Sequence, residues 1–296
     1  MGNKENTAGF ENKVINWYPG HMTKTRRRMK ECLPLVDAVV ELIDARIPIS
    51  SQNPEMKEMT GNKPRLILLN KADLADERVT SQWIQALKND HCRALAVDCK
   101  SGRGLNKVLP SIREILSDQI NLWEQKGMKG KPIHVMVVGI TNVGKSYFIN
   151  IIIKGSRAKA EDRPGVTRGN QWFSLEDGTL LLDIPGILWP KFEDAKVGLH
   201  LAFIGSIRDQ ILDIEELSCE LLSILKAEYP DRLCERFKCQ QEDLPEDSYD
   251  LLQFVGRKRG MLLRGNEVNT ERAATMVLDE YRGGKFGKIS LEVPEK

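Results

Sequence analysis

Gly139-Ile-Thr-Asn-Val-Gly144-Lys145-Ser146 fits G-x-x-x-x-G-K-[ST], the spelling of a phosphate-binding loop. Its context fits too. Ile133-His-Val-Met-Val-Val138 before it is a short, β-branched apolar run of the kind a buried parallel strand needs. Tyr147-Phe-Ile-Asn-Ile-Ile-Ile-Lys154 after it can start a helix. Glycines there let the backbone N–H groups from Asn142, Val143 and Gly144 onward close around phosphate oxygens. Lys145 adds a charge near the β- and γ-phosphates, and the Ser146 hydroxyl can hold Mg²⁺.

Working outward, a second motif lies upstream. Arg65-Leu-Ile-Leu-Leu69 reads as a buried strand that delivers Asn70-Lys71-Ala72-Asp73, an N-K-x-D sequence. An aspartate there accepts hydrogen bonds from guanine N1–H and the 2-amino group. Adenine offers neither, so it would leave the carboxylate unpaired. Arg93-Ala-Leu-Ala-Val97 is a third strand. It ends in Asp98-Cys99-Lys100-Ser101-Gly102, where a backbone N–H could meet guanine O6. Asp37-Ala-Val-Val-Glu-Leu-Ile-Asp44 is another buried strand. It places Asp44-Ala-Arg46 at the ligand edge of an open α/β sheet, or leaves Asp44 as a surface residue that caps the next turn.

Downstream, Arg163-Pro-Gly-Val-Thr167 carries a threonine that could reach Mg²⁺ and the γ-phosphate. Strands are expected over 171–175 and 179–182, leading into Asp183-Ile-Pro-Gly186, a D-x-x-G motif. Asp183 would face Mg²⁺ and the Gly186 N–H the γ-phosphate. From about residue 193 the strand signals fade, and helical patterns are expected over 194–208, 214–228, 246–256 and 271–282. Asp213 is a candidate N-cap of the second, whose Leu217, Leu221, Leu222 and Leu225 share a face. Between the strands, a helix over 80–89 with Thr80 as its cap and one over 105–125 are expected.

The chain of 296 residues, 41% apolar and 29% charged, has room for two globular domains. No apolar run approaches the roughly 20 residues of a membrane span, and the first residues lack the apolar core of a secretory signal, so a cytoplasmic protein is expected. The six cysteines form no C-x-x-C pair, and the four isolated histidines have no metal-ligand spacing. The net charge of +2 is uneven: residues 1–199 carry 30 Lys and Arg against 23 Asp and Glu, whereas 200–296 carry 14 against 19. Two acid-free basic runs, 24–30 and 257–264, are either solvated surface or contacts to an anionic partner.

Three functions remain open on these residues: a GTPase, a P-loop ATPase or kinase in which 70–73 is accidental, and a non-catalytic RNA-binding module that holds nucleotide structurally. The order of the motifs favours the first. The base-reading loops precede the P-loop, whereas Ras-like GTPases place them after it. This order, with Trp17-Tyr-Pro-Gly-His-Met22, Asp44-Ala-Arg46, Asn70–Asp73, Gly139–Ser146, Asp162-Arg-Pro-Gly-Val-Thr167 and Asp183-Ile-Pro-Gly-Ile-Leu-Trp-Pro190, resembles the circularly permuted GTPases of ribosome assembly. The resemblance is closest to the bacterial ribosome biogenesis GTPase A family, then to its mitochondrial homologue.

The resemblance implies an α/β fold: a circularly permuted P-loop GTPase domain over 14–192, with a mostly parallel sheet and helices on both faces. A loose arm over 1–13 precedes it. A smaller all-helical domain over 193–296, resembling an RNA-binding domain, follows. It also implies GTP hydrolysis, with GTP or GDP and Mg²⁺ bound, coupled to late maturation of the large ribosomal subunit. The implied partners are that subunit's precursor, its rRNA and its proteins, for a chain that is monomeric off the ribosome. Mg²⁺ would be held by Ser146, Thr167 and Asp183, and the nucleotide by Asn70, Lys71, Ala72, Asp73, Asp98, Cys99, 142–147 and Gly186. Tyr147 departs from the small hydroxyl residue usual there, though its backbone N–H can still reach the α-phosphate. Asn142 stands where potassium-activated GTPases hold K⁺, or simply suits a turn. Lys145 and Thr167 would act on the reacting phosphate. The glutamine that orients water in Ras-like enzymes is replaced by Ile187. His21 is the nearest substitute; its other reading is an anchor for the arm or an RNA contact.

Overall fold

The computed structural model describes residues 20–155, 159–161, 171–189, 192 and 194–295, with backbone alone at 20, 21 and 159–161. The chain divides into two compact units. One contains Lys191–Ile289; the other contains Tyr18–Pro190 together with Ser290–Lys296. The last seven residues thus group with the nucleotide-binding motifs, not with the helices that precede them.

The larger unit is built on a seven-stranded sheet. Its strands are β1 (Ala38–Asp44), β2 (Arg65–Asn70), β3 (Cys92–Ala96), β4 (Ile133–Gly139), β5 (Lys159–Glu161), β6 (Gln171–Ser174) and β7 (Thr179–Asp183), in the order β3-β2-β1-β4-β7-β6-β5. The first five in that order run parallel, and β6 and β5 add an antiparallel edge. β1 and β2 are buried along their whole length, which is why their apolar residues do not alternate with polar ones; Glu41, the charge in the middle of β1, is paired with Arg65 of β2. The register matters for function. Asp44 pairs with Asn70, Leu42 with Gly139, and Val137 with Asp183, so the carboxyl ends of β1, β2, β4 and β7 reach one edge together. Loops that are far apart in sequence therefore meet where open α/β sheets bind ligands.

Helices cover the sheet: α1 (Gly20–Cys32), α2 (Glu55–Thr60), α3 (Glu77–Ala86), α4 (Val108–Ile115), α5 (Ser117–Gln125) and α6 (Lys145–Gly155). Two expectations change here. The cap of α3 is Asp76, whose carboxylate accepts from the N–H groups of Arg78 and Val79; Thr80 lies inside the helix and donates to the Asp76 carbonyl at 2.7 Å. The expected 105–125 helix is a 3₁₀ turn at Leu105–Lys107 and then two helices that break at Leu116. Val108, Ile112 and Leu116 stay buried in helical phase, so the apolar pattern passes through the break without showing it.

The smaller unit contains α7 (Ala195–Phe203), α8 (Ile214–Glu228), α9 (Pro230–Phe237), α10 (Ser248–Lys258) and α11 (Thr270–Arg282). Asp213 caps α8 by accepting from Glu216 N–H, and the four expected leucines are buried. Gly205, at φ 73°, lies just beyond the end of α7, short of the expected 208. Neither α9 nor α2 nor β5 was legible as an element beforehand. Ser218 Oγ donates to the Ala274 carbonyl at 2.9 Å, pinning α8 to α11. Among the described residues no helix is long and apolar enough to cross a membrane.

Candidate nucleotide site

Asn70 is the residue that joins the loops. It ends β2 and is 3% exposed. Its Nδ2–H donates to the Val143 carbonyl of the P-loop at 2.7 Å, and its Oδ1 accepts from the Cys99 N–H at 3.0 Å. One buried amide thus fastens the N-K-x-D loop to the P-loop on one side and to the 98–102 loop on the other. Gly144 makes this possible: at φ +93°, its missing Cβ would lie 2.4 Å from Asn70 Nδ2.

Lys71 and Asp44 form a second tie. Lys71 is in the left-handed region at φ 57°, and its Nζ lies 3.0 Å from Asp44 Oδ2. Asp44 is wholly buried and also accepts from Arg46 Nε at 2.9 Å, Nη2 at 2.8 Å and backbone N–H at 3.1 Å. Burial alone would raise its pKa. The Arg46 guanidinium and the Lys71 ammonium outweigh that and hold the carboxyl well below the usual carboxylate range. Asp44 therefore stands at the carboxyl-end edge of the sheet and also caps the following turn, but from a wholly buried position and not as a surface residue. Asp73 is half-buried beside buried Ala72. The Cys99 N–H already donates to Asn70, so a guanine O6 taking that proton has to share the bond. The Cys99 thiol is pushed up to about 12 by burial, with Asp98 adding to the effect, so it stays neutral. Asp98 accepts from the Lys100 N–H at 2.9 Å and from the Ser101 hydroxyl, which sets the shape of its loop.

On the phosphate side, α6 begins at Lys145, so the loop's N–H groups lie at a helix N-terminus, where an anion is favoured. Lys145 is buried and its Nζ pairs with the Asp183 carboxylate, bringing the P-loop and the D-x-x-G loop together. Gly186 lies close to the P-loop: a Cβ there would meet the Ile140 carbonyl oxygen at 3.0 Å. Val143 is buried, whereas Asn142, Ser146 and Tyr147 are exposed, Asn142 with left-handed φ 62°. After Gly186, the side chains of Ile187, Leu188 and Trp189 are all buried. The His21 side chain, Thr167 and the rest of 163–167 lie outside the described residues. Sequence reasoning missed 290–292, which contact this unit's loops; nothing in their short, mixed sequence signals it.

The sheet order and the site define a circularly permuted P-loop GTPase. The profile of the family described as "50S ribosome-binding GTPase" matches residues 134–241, which begin at the P-loop strand and leave both base-reading loops upstream. Ribosome biogenesis GTPase A of Bacillus licheniformis is 45% identical over 95% of this chain and 99% of its own. That of Thermotoga maritima is 33% identical over 95% of both chains. The crystal structure of GNP-bound YlqF from T. maritima matches with a TM-score of 0.61 and 27% identity, over 92% of this chain and 99% of that one. The chain belongs to the ribosome biogenesis GTPase A family. It is a ribosome-assembly GTPase that binds guanine nucleotide and hydrolyses GTP.

Proposed function

We propose that this cytoplasmic GTPase binds the precursor of the large ribosomal subunit and acts late in that particle's maturation. What supports the reading is the likeness to ribosome biogenesis GTPase A proteins and to the 50S ribosome-binding GTPase family, and Asn70 adds that the 70–73 loop, the P-loop and the 98–102 loop are joined at one place, as a nucleotide site needs. The test is co-sedimentation with large-subunit precursors. Binding is expected with a non-hydrolysable GTP analogue and is expected to weaken with GDP; no binding in either state would end the proposal, and equal binding in both would mean that nucleotide and particle are not coupled, because a ligand shifts only states it binds differently.

In this reading Asp73 accepts from the guanine edge, Lys71, Ala72, Asp98 and Cys99 flank the base, and 142–147 cradle the phosphates. Lys145 stabilises charge that develops on the transferred phosphoryl group. Ser146 and Asp183 offer hydroxyl and carboxylate oxygens, the hard donors that suit Mg²⁺ shared with phosphates, and Thr167 would complete the set. Bound there, Mg²⁺ would neutralise charge between the β- and γ-phosphates. Asn142 points to K⁺ as a further cation, to be checked by comparing rates in KCl and NaCl at equal ionic strength.

Hydrolysis needs a water-orienting group, and Ile187, Leu188 and Trp189 are apolar and buried. His21, on the first turn of α1 next to the basic run 24–30, would take that role when rRNA grips the run. Slow intrinsic turnover that rises on the particle is expected. His21→Ala should lose most of that rise while still binding GTP; normal stimulated turnover would assign the water to other groups. The Gly186 N–H would meet the γ-phosphate, and α7 starts at Ala195, so release of phosphate frees the segment leading into the helical unit. That unit would contact RNA, with Arg257, Lys258, Arg259 and Arg264 exposed on it.

A further inference from the structure

Past the helical unit, the chain re-enters the nucleotide-binding unit at Ser290. The three residues there make a dense set of hydrogen bonds. Ser290 and Leu291 are buried. Ser290 Oγ accepts from the N–H of Asp76, the cap of α3, at 3.0 Å. The Leu291 N–H donates to the Arg46 carbonyl at 2.9 Å. The Glu292 carboxylate accepts from the N–H groups of Ile49 at 2.6 Å and Ser50 at 3.1 Å, and from the Ser50 hydroxyl. Trp83 Nε1–H, on α3, donates to the Glu292 carbonyl at 2.9 Å.

The two stretches joined in this way bracket the base-reading loop. On one side, 46–51 follows Asp44, which holds Lys71, and the Ala45 N–H donates to the Asn70 carbonyl at 2.8 Å. On the other side, Asp76 closes the loop that starts at Asn70. A loop that reads a base must have its acceptor in place before the base arrives, because affinity falls by the fraction of molecules in which it is misplaced.

We infer that residues 290–292 are a clasp that positions the 70–73 loop, so that Ser290 and Glu292 set guanine affinity without touching the nucleotide. The inference rests on the reading of Asp73 as the guanine acceptor. It makes Glu292 a positioning residue, tied by charge-assisted bonds to backbone N–H groups.

The test uses the full chain with Glu292→Ala, Glu292→Gln, the double variant Ser290→Ala with Glu292→Ala, and Asp73→Asn as reference. Two affinities are measured: that of a fluorescent GDP, and that of inorganic tripolyphosphate, which can occupy the P-loop but has no base. Glu292→Ala is expected to raise the Kd for GDP about tenfold and to leave tripolyphosphate unchanged. Glu292→Gln should recover much of the loss, since its amide oxygen still accepts. Unchanged GDP affinity in both Ala variants would overturn the clasp, as would equal weakening of GDP and tripolyphosphate, which is the mark of general destabilisation. If Asp73→Asn loses GDP while the Ala variants keep it, the clasp alone is wrong. If Asp73→Asn also keeps GDP, the base pocket itself is wrong and the clasp falls with it.

Discussion

In the proposed site, the base-side loops and the phosphate-side loops are built differently. On the base side, Asp44, Arg46, Asn70 and Asp98 are all buried and each is held by other residues of the chain, while Lys71 and Asp73 stay half-buried. On the phosphate side, Asn142, Ser146 and Tyr147 are exposed, and Lys145 is the buried one among the described polar residues of the P-loop. Discrimination between bases needs acceptors fixed in advance, because the penalty for the wrong base is a group left unpaired. A phosphate cradle works through backbone N–H groups that must remain open to an incoming anion.

The comparison can be broken at several points. The largest effect is expected at Asp73. Asp73→Asn replaces an acceptor by a donor and should weaken GDP binding on the order of 10³-fold, with a gain for xanthine nucleotides; a nucleotide-competition assay reads both. If GDP affinity is kept, the base side is not what selects. Next comes Asn70→Ala. It strands the Val143 carbonyl and the Cys99 N–H, and should cost about 3 kcal/mol in denaturant unfolding. A loss below 1 kcal/mol would mean that the loops hold together without it.

Gly144→Ala sharpens the same contrast from the phosphate side. The added methyl would clash with Asn70 Nδ2 at a positive φ, at a cost of about 2 kcal/mol. In the background of Asn70→Ala the steric part of that cost should disappear, so a thermodynamic cycle on the pair should show coupling. The smallest effect is confined to acid. The Asp44 carboxyl has a lowered pKa in the folded state, so its contribution to stability is full above its ordinary value of 3.8 and is lost as pH falls further, through the folded pKa. Unfolding midpoints followed from pH 6 downward should fall below about pH 4, and Asp44→Asn should flatten that dependence.

Much of this site could be read in advance. The strand ends, the P-loop, N-K-x-D and D-x-x-G are local signals, each a run of β-branched or apolar residues that ends in polar groups of fixed spacing. The helix boundaries were less legible. Asp76 outcompetes Thr80 as a cap because a carboxylate four residues earlier can take two N–H groups, and the break at Leu116 leaves the apolar phase intact. α9 begins at a proline one residue after α8, with charged residues throughout and only Leu233 and Phe237 buried, so its apolar face is thin.

The sequence by itself determined the chemistry of the loops and their order, because a phosphate loop or a base-reading loop needs particular residues at particular spacings, and these are written consecutively. Tertiary structure alone decided which loops touch. That Asn70 would bind both Val143 and Cys99, that Lys71 would reach Asp44, and that Glu292 would return to Ser50 depends on strand register and on pairings across tens to hundreds of residues. No local pattern encodes such pairings; they are fixed when the parallel strands align and bury their faces together.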